Sequence, residues 1–447
     1  RILVEFGKHL GKGIWGLADK SLPVVYGLAY ILLVIRVLPE EEFGNFVLIQ
    51  ELFLVITGLA MAFALNPLLK FAAEEETDQA QVITVSLILN LAFNLVAALV
   101  IVAFRTPFSN LLNSPNLAPL MVYLPAMLAA SFFRNFALIL LQTRFLVQRV
   151  FWTDAVHFLG VPVLIWIYSR MHLFDSALDL IIINMITLSA SSVIGLWLCF
   201  RMIRITLRPT GEYTRKLWDY GRYSLGSLLS YFVYSKSDTF ILSAFHGPVQ
   251  VAVYNAVKVF TRIFDMVTQV VQMFLLPGAS RLASRGEVQS LKSLVEKSIA
   301  FLTIMMLPVF LGLFVLASFI VDIVYSGRYT ESIPILQIFS VLSILVPLMA
   351  VASNTLMGLG QARLSFILSV QFLIASIVIY FVLIPLLGAP GAAIGYVLAS
   401  LFLAWRSTVL MTRFVPTTFT EVLGRTRDVK MFVLTRVARL RNSSGGV

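Results

Sequence analysis

Residues 250–280 read QVAVYNAVKVFTRIFDMVTQVVQMFLLPGAS. The stretch can cross a bilayer, since a spanning helix needs about 20 mostly apolar residues. Its polar side chains include Asn255, Lys258, Arg262, Asp265, Gln269 and Gln272, spaced 3, 4, 3, 4 and 3. At about 100° per residue, an α-helix gathers these six within an arc of about 100°. The remainder is mostly Val, Phe, Ile, Met and Leu. One face of a membrane helix is thus polar through most of its depth, and the other faces suit lipid or packed neighbours.

The surrounding chain has the same character. Of 447 residues, 59% are hydrophobic and 13% charged, against roughly 45–50% and 25% in soluble domains. Mean hydropathy is +0.90. Such a chain cannot clothe itself in polar surface, which excludes a soluble enzyme, a disordered chain and a secreted disulfide scaffold. Twelve spans are expected, at 13–38, 43–70, 81–105, 116–142, 148–169, 177–200, 219–246, 250–280, 296–325, 331–358, 364–387 and 391–414. The first has no small-residue cleavage site, so it reads as a span and not as a signal peptide.

Chemistry of other kinds finds no support. Cys199 is alone, and His9, His157, His172 and His246 are scattered, so no metal-ligand spacing exists. There is no G-x-x-x-x-G-K-[ST] for ATP. The net charge of +11 reads as basic loops beside anionic lipid, with no nucleic-acid partner. With both termini cytoplasmic, 23 Lys and Arg fall inside, among them Lys70, Arg144, Arg281 and Arg363, against Arg36, Arg105, Arg170 and Arg328 outside. That follows the positive-inside rule.

The chain also repeats itself. Phe6-Gly7-Lys8 is matched by Tyr220-Gly221-Arg222, Pro67 by Pro277, and Gln142-Thr143-Arg144 by Gln361-Ala362-Arg363. Six helices return the chain to the same side, so the halves share one topology. The expected fold is an all-α polytopic membrane protein with twelve helices in two pseudo-symmetric six-helix bundles. Residues 1–205 form the first bundle and 206–415 the second. A basic tail, 416–447, follows. In it Val429, Phe432, Val433, Val437 and Leu440 recur at helical spacing between basic residues, as in an interfacial helix; a merely topogenic tail is the plainer reading. Asn442 to Val447 has the composition of a disordered end.

Ionisable groups in the spans mark the candidate site, because each costs about 2.5–3.5 kcal/mol at mid-bilayer on insertion scales. In 250–280, Arg262 and Asp265 could pair within a packed seam. Against that, Lys258 and Arg262 stand at i and i+4, where like charges repel. An aqueous cavity or an anionic ligand relieves the repulsion. Other spans add Asp19, Lys20, Glu51, Arg134, Asn135, Lys236, Asp238 and, near the repeat position of Asn135, Asn354. Asp154 and His157 lie about one turn apart; they suit ion or proton coupling, although a buried structural hydrogen bond is the favoured reading. Pro23, Pro125, Pro162, Pro308 and Pro347 are hinges or static kinks. A cavity rich in Lys and Arg suits phosphoryl oxygens.

These features resemble the polysaccharide transporter branch of the multidrug/oligosaccharidyl-lipid/polysaccharide flippase superfamily. The resemblance rests on Phe6-Gly7-Lys8, on Leu38-Pro39-Glu40-Glu41-Glu42-Phe43-Gly44, on Val251-Ala252-Val253-Tyr254-Asn255, and on Gly388-Ala389-Pro390-Gly391-Ala392-Ala393-Ile394-Gly395. It implies two bundles in a MATE-like V around a central cavity and alternating access. The implied substrate is an undecaprenyl-diphosphate-linked oligosaccharide, in the bacterial cytoplasmic (inner) membrane. Related lipid II flippases usually carry two further helices, absent from the twelve expected here. The family's cavity bases correspond to Lys258 and Arg262, then to Lys20 and Lys236. No cofactor is implied; Na⁺, H⁺ or the membrane potential would supply coupling. Partners would be the lipid-linked glycan, membrane lipids, and glycan polymerase and glycosyltransferase proteins. The alternatives are an ion-coupled drug or cation antiporter of the same fold, and a non-transporting scaffold for glycan assembly.

The topology is open to direct measurement. Single cysteines placed in the 281–295 loop should resist membrane-impermeant thiol reagents on intact cells and react after permeabilisation. Labelling on intact cells reverses the orientation.

Overall fold

A computed structural model describes residues 15, 18–27, 33–35, 37–72, 78–418, 420–422, 424 and 425. The Phe6-Gly7-Lys8 motif and the amphipathic part of the tail, including Val429 to Leu440, lie outside the described residues. So do parts of the first span, and the count of twelve crossings rests on that span.

The helices follow the hydropathy. Residues 18–27 are helical (α1). Then come Glu40–Phe71 (α2), Gln79–Leu111 (α3), Leu117–Thr143 (α4), Val147–Arg170 (α5) and Ala177–Met202 (α6). Residues 211–246 form α7 and 248–284 form α8, parted at Gly247, whose φ is +75°. Val288–Val315 with Ala317–Tyr325 forms α9, and Thr330–Gly358 forms α10. Residues 362–387 and 389–412 are α11 and α12, parted at Gly388 with φ +60°. Among the described residues nine helices are long and apolar enough to cross a membrane, two of them 50 residues long. Fifty residues rise about 75 Å, more than twice a hydrocarbon core of about 30 Å. Neither can be one straight crossing, and each turns at its left-handed glycine.

Two compact units divide the chain: Arg1–Val253 with Val324–Ser326, and Tyr254–Ile323 with Gly327–Val447. The repeat would end the first half at residue 205, so repeat and packing draw the boundary in different places. The reason is α7. It follows α2 from end to end inside the first unit. A Cβ on Gly44 would lie 1.9 Å from the Pro248 carbonyl oxygen. Asn66 Nδ2 donates to Ser224 Oγ at 3.2 Å. Trp218 meets Phe63 edge-on, with ring centres 5.1 Å apart. Tyr220 meets Phe71 at 5.7 Å.

The repeated Tyr220-Gly221-Arg222 motif now has a cause. In α2, Met61–Leu65 is a π-helical turn ahead of Pro67. A Cβ on residue 221 would sit 2.1 Å from the Phe63 carbonyl oxygen in that turn. Only glycine lets the two backbones come this close. Below it, Lys70 lies 4.7 Å from the Tyr220 ring centre and Lys216 lies 4.4 Å from that of Phe71.

The turn at Leu38 to Gly44 is also built for structure. Glu40, Glu41 and Glu42 occupy the first turn of α2, where carboxylates favour the helix dipole. Glu42 Oε2 accepts from the Ala177 backbone N–H at 2.7 Å, capping α6, and Glu41 Oε1 accepts from Asn116 Nδ2 at 2.8 Å. Within the same unit α6 packs against both α4 and α5. It presents the small residues Ser191, Ser192 and Gly195 to them.

In the second unit, α8, α9, α10, α11 and α12 share a core of Val271, Leu275, Val295, Ile299, Val351, Leu356, Leu368 and Met411, among others. At the α11–α12 turn, Ala389, Ala392 and Ala393 are fully buried. After α12, Glu421 and Arg425 are strapped to the start of α9. Lys292 donates to Glu421 at 2.6 Å, and Arg425 Nε to the buried Glu296 at 3.0 Å. Lys292 and Thr418 together push the Glu421 carboxyl down to about 2.

The glycine contact makes a paired prediction. Gly221→Ala should lower the thermal midpoint, costing about 1–3 kcal/mol as overpacking does. Gly226→Ala, with open space at its Cβ, should be neutral or gain up to about 1 kcal/mol of helix propensity. Melting of the two purified variants side by side reads the difference.

Candidate functional site

The expected site residues fall into separate groups, three in the first unit and one in the second. The first group ties α2 to α7. Lys236 Nζ lies 2.6 Å from Glu51 Oε2, with the two side chains 22% and 14% exposed. Both belonged to the set of cavity charges. Their pairing satisfies each inside the membrane, where neither could remain alone cheaply.

The second group lies between α1, α4, α5 and α6. Arg134 on α4 forms an ion pair with Asp154 on α5. Its NH1 donates to Asn135 Oδ1 at 3.3 Å, and its guanidinium stands 5.6 Å from the Phe158 ring centre. The Arg134 backbone N–H donates to Ser192 Oγ at 2.9 Å, and Ser192 donates onward to the Ala130 carbonyl. Asp19 and Lys20 are both close enough to Asp154 to act on it electrostatically. Lys20 itself is exposed.

His157, expected as the relay partner of Asp154, is engaged elsewhere. Its Nδ1 shares a hydrogen bond of 3.0 Å with Thr187 Oγ1, and Tyr26 stands 6.1 Å away, centre to centre. Among the described residues Asp154 and His157 share no hydrogen bond. Two residues one turn apart point in similar directions, yet Arg134 claims one and Thr187 the other. The third group is small: Asp238 is fully buried and accepts from the Thr239 backbone N–H at 2.7 Å.

In the second unit the polar stripe departs from a regular α-helix. Val259–Thr261 is a 3₁₀ turn between Lys258 and Arg262. A 3₁₀ turn advances about 120° per residue, so the two cations, about 40° apart on a straight α-helix, move to about 100° apart around the axis. The expected repulsion is thereby lessened by the backbone itself. Lys258 is half-buried, 5.2 Å from the ring centre of Tyr254 one turn before it. Arg262, Asp265, Gln269 and Gln272 are exposed, and Asn255 is half-buried. Asn354 on α10 is buried and donates to the Ala350 carbonyl at 2.8 Å, within its own helix.

Sequence reasoning missed the partners that orient these charges: Ser192, Thr187, Phe158 and Tyr254. Tyr254 was detectable, since a ring four residues before a lysine on one helix face is a spacing signal. The others come from different helices and leave no local mark.

With this geometry in place, comparison with known proteins is informative. A family model described as a polysaccharide biosynthesis protein matches residues 33–334. The probable low-salt glycan biosynthesis flippase Agl15 of Haloferax volcanii is 25% identical over 234 residues, which cover 52% of this chain and 50% of that protein. The chain thus spans about half the length of that relative. Among solved structures, the lipid II flippase MurJ in an inward closed conformation superposes with a TM-score of 0.74 at 13% identity, covering 95% of this chain and 92% of the other. An inward-facing multidrug resistance MATE family transporter of the MOP superfamily gives 0.71 at 17% identity, covering 90% and 98%. At these identities the structural likeness is one of fold. The family match extends over well more than half of the sequence and agrees with the helices just described: the chain belongs to the polysaccharide biosynthesis protein family, as a multi-pass membrane protein with the all-helical MOP-superfamily fold.

Proposed function

We propose that this protein is a transporter that flips a polyprenyl-diphosphate-linked glycan to the outer leaflet by alternating access, with no bond made or broken. In a bacterial cytoplasmic membrane the lipid would be undecaprenyl. The observation that carries the reading is the exposed Arg262, on a helix face shared with Asp265 and the amides Gln269 and Gln272, with the half-buried Lys258 about 100° round the axis. Arginine presents a rigid fork of donors matched to phosphoryl oxygens, and lysine adds a mobile point charge. The amides Asn255, Gln269 and Gln272 offer both donors and acceptors, which suits sugar hydroxyls. Lys20, also exposed, is a further candidate for the diphosphate.

The antiporter alternative needs intramembrane carboxylates available for a cation. Glu51 and Asp154 are each tied to a base, which leaves such a reading to Asp19, Asp238 and Asp265. A scaffold has no need of an exposed arginine in a spanning helix.

The driving force follows from charge. A diphosphate leaving the cytoplasm moves negative charge outward, and an inside-negative potential favours this by about 2.3 kcal/mol per charge per 100 mV. We therefore assign coupling to the membrane potential in preference to an ion held at Asp154 and His157, which are engaged by Arg134 and Thr187. Glycan polymerase and glycosyltransferase proteins would act before and after the flip.

Charge reversal is the decisive test. Arg262→Glu, with expression and melting verified, should cut surface-glycan export by roughly tenfold or more, the loss of about one charge-assisted contact. Lipid-linked glycan should accumulate on the cytoplasmic leaflet. Arg262→Lys should fall between the two. Normal export by the Glu variant removes Arg262 from diphosphate binding.

A further inference from the structure

The Lys236–Glu51 pair occupies a particular place in the α2–α7 seam. Glu51 is eleven residues into α2, about 16 Å along it and so near mid-bilayer. On one side of the pair, Gly44 meets Pro248 at the turn just past α7; on the other, Gly58 meets Phe232, and the Phe63 carbonyl meets Gly221. Those contacts depend on shape, and Asn66 adds a neutral hydrogen bond to Ser224. The ion pair differs from all of them, because an anion can take its cation away. With 22% and 14% of the two side chains exposed, the pair is neither sealed nor fully solvated.

We infer that Lys236–Glu51 is a latch that an anionic diphosphate headgroup releases. The inference rests on the diphosphate reading and adds a role for Lys236 beyond contact. A diphosphate offers more negative charge and more acceptor oxygens than one carboxylate, so it competes for the lysine ammonium. Lysine suits such an exchange, being a flexible point charge that reorients between partners. Once Lys236 turns to the ligand, Glu51 rehydrates and the seam loses its charged tie. The ligand thereby favours the state in which α2 and α7 part, by as much as it prefers that state. Occupancy of the site and loosening of the seam become one event.

The test reads the seam itself. Gly58→Cys with Phe232→Cys places a thiol pair across it; a Cβ on Gly58 would lie 2.5 Å from the Phe232 ring, so removing that ring makes the room. The native Cys199 is buried and serves as background. The full chain in nanodiscs is oxidised with and without inorganic pyrophosphate, whose binding is followed in parallel by calorimetry. The expected result is binding together with crosslinking slowed by about threefold or more. Adding Glu51→Gln should give slow crosslinking without ligand and little response to it. Adding both Glu51→Gln and Lys236→Met removes both charges, leaves no lone ion to disturb folding, and should also abolish the response. Pyrophosphate that binds, with an unchanged crosslinking rate, overturns the latch and leaves the diphosphate reading standing. Absence of pyrophosphate binding overturns both. The response of the chain with Lys236 and Glu51 intact needs no charge variant, so misfolding of a variant does not rescue the idea.

Discussion

A charged side chain inside hydrocarbon must be neutralised, hydrated or bound, and much of this molecule is organised by that demand. Arg134 reaches Asp154 across two helices. Lys236 reaches Glu51 across two others. Each pair also positions backbone. The Arg134 N–H is held by Ser192, whose small neighbours on α6 bring α4 and α5 close enough for the guanidinium to arrive. At the membrane edge the same demand is met by the strap after α12, where the buried Glu296 takes Arg425 as its partner. Burial of a pair is weak evidence of stability. What the pairs do fix is which helices lie side by side: α4 with α5, α2 with α7, and the strap with α9.

The sequence was informative wherever one physical period dominated. Apolar runs at 43–70, 148–169 and 177–200 correspond to Glu40–Phe71, Val147–Arg170 and Ala177–Met202, since a bilayer leaves the backbone few options but helix. Breaks within helices were less legible. Val259–Thr261 has an ordinary composition, yet it winds tighter and swings Lys258 away from Arg262. The π turn at Met61–Leu65 leaves only Pro67 as a trace. Pairings between helices were least legible. Arg134 and Asp154 are twenty residues apart, and no local spacing connects them. The likeness of two helical halves placed α7 in the second half, whereas its packing follows α2 in the first unit. Repeats record how a chain is built; contacts record which surfaces fit.

Several residues that carried the family resemblance prove to be structural. Gly44 gives way to the Pro248 carbonyl, Glu42 caps α6, and Gly388 turns the chain with φ +60°. Such positions recur because the backbone demands them, and they report fold. Substrate preference must be written elsewhere, in side chains that the fold leaves open. This is why a shared fold accommodates glycan flippases and drug transporters alike.

The placement of intramembrane charge, more than its balance, then bears on the readings. Counted from sequence, acids and bases were level, and the count could not decide between an anionic and a cationic cargo. Pairing removes equal numbers from each side: Arg134 cancels Asp154 and Lys236 cancels Glu51, at least until a ligand intervenes, which leaves Lys20, Lys258 and Arg262 beside Asp19, Asp238 and Asp265. Arg262 remains exposed, on a face shared with the exposed Asp265 and with neutral amides. The 3₁₀ turn matters here as well. Because the backbone itself lessens the Lys258–Arg262 repulsion, an anion is not needed merely to hold α8 together. The exposed arginine in a spanning helix thus has no structural debt to discharge, and its cost in the membrane is best understood through what it binds.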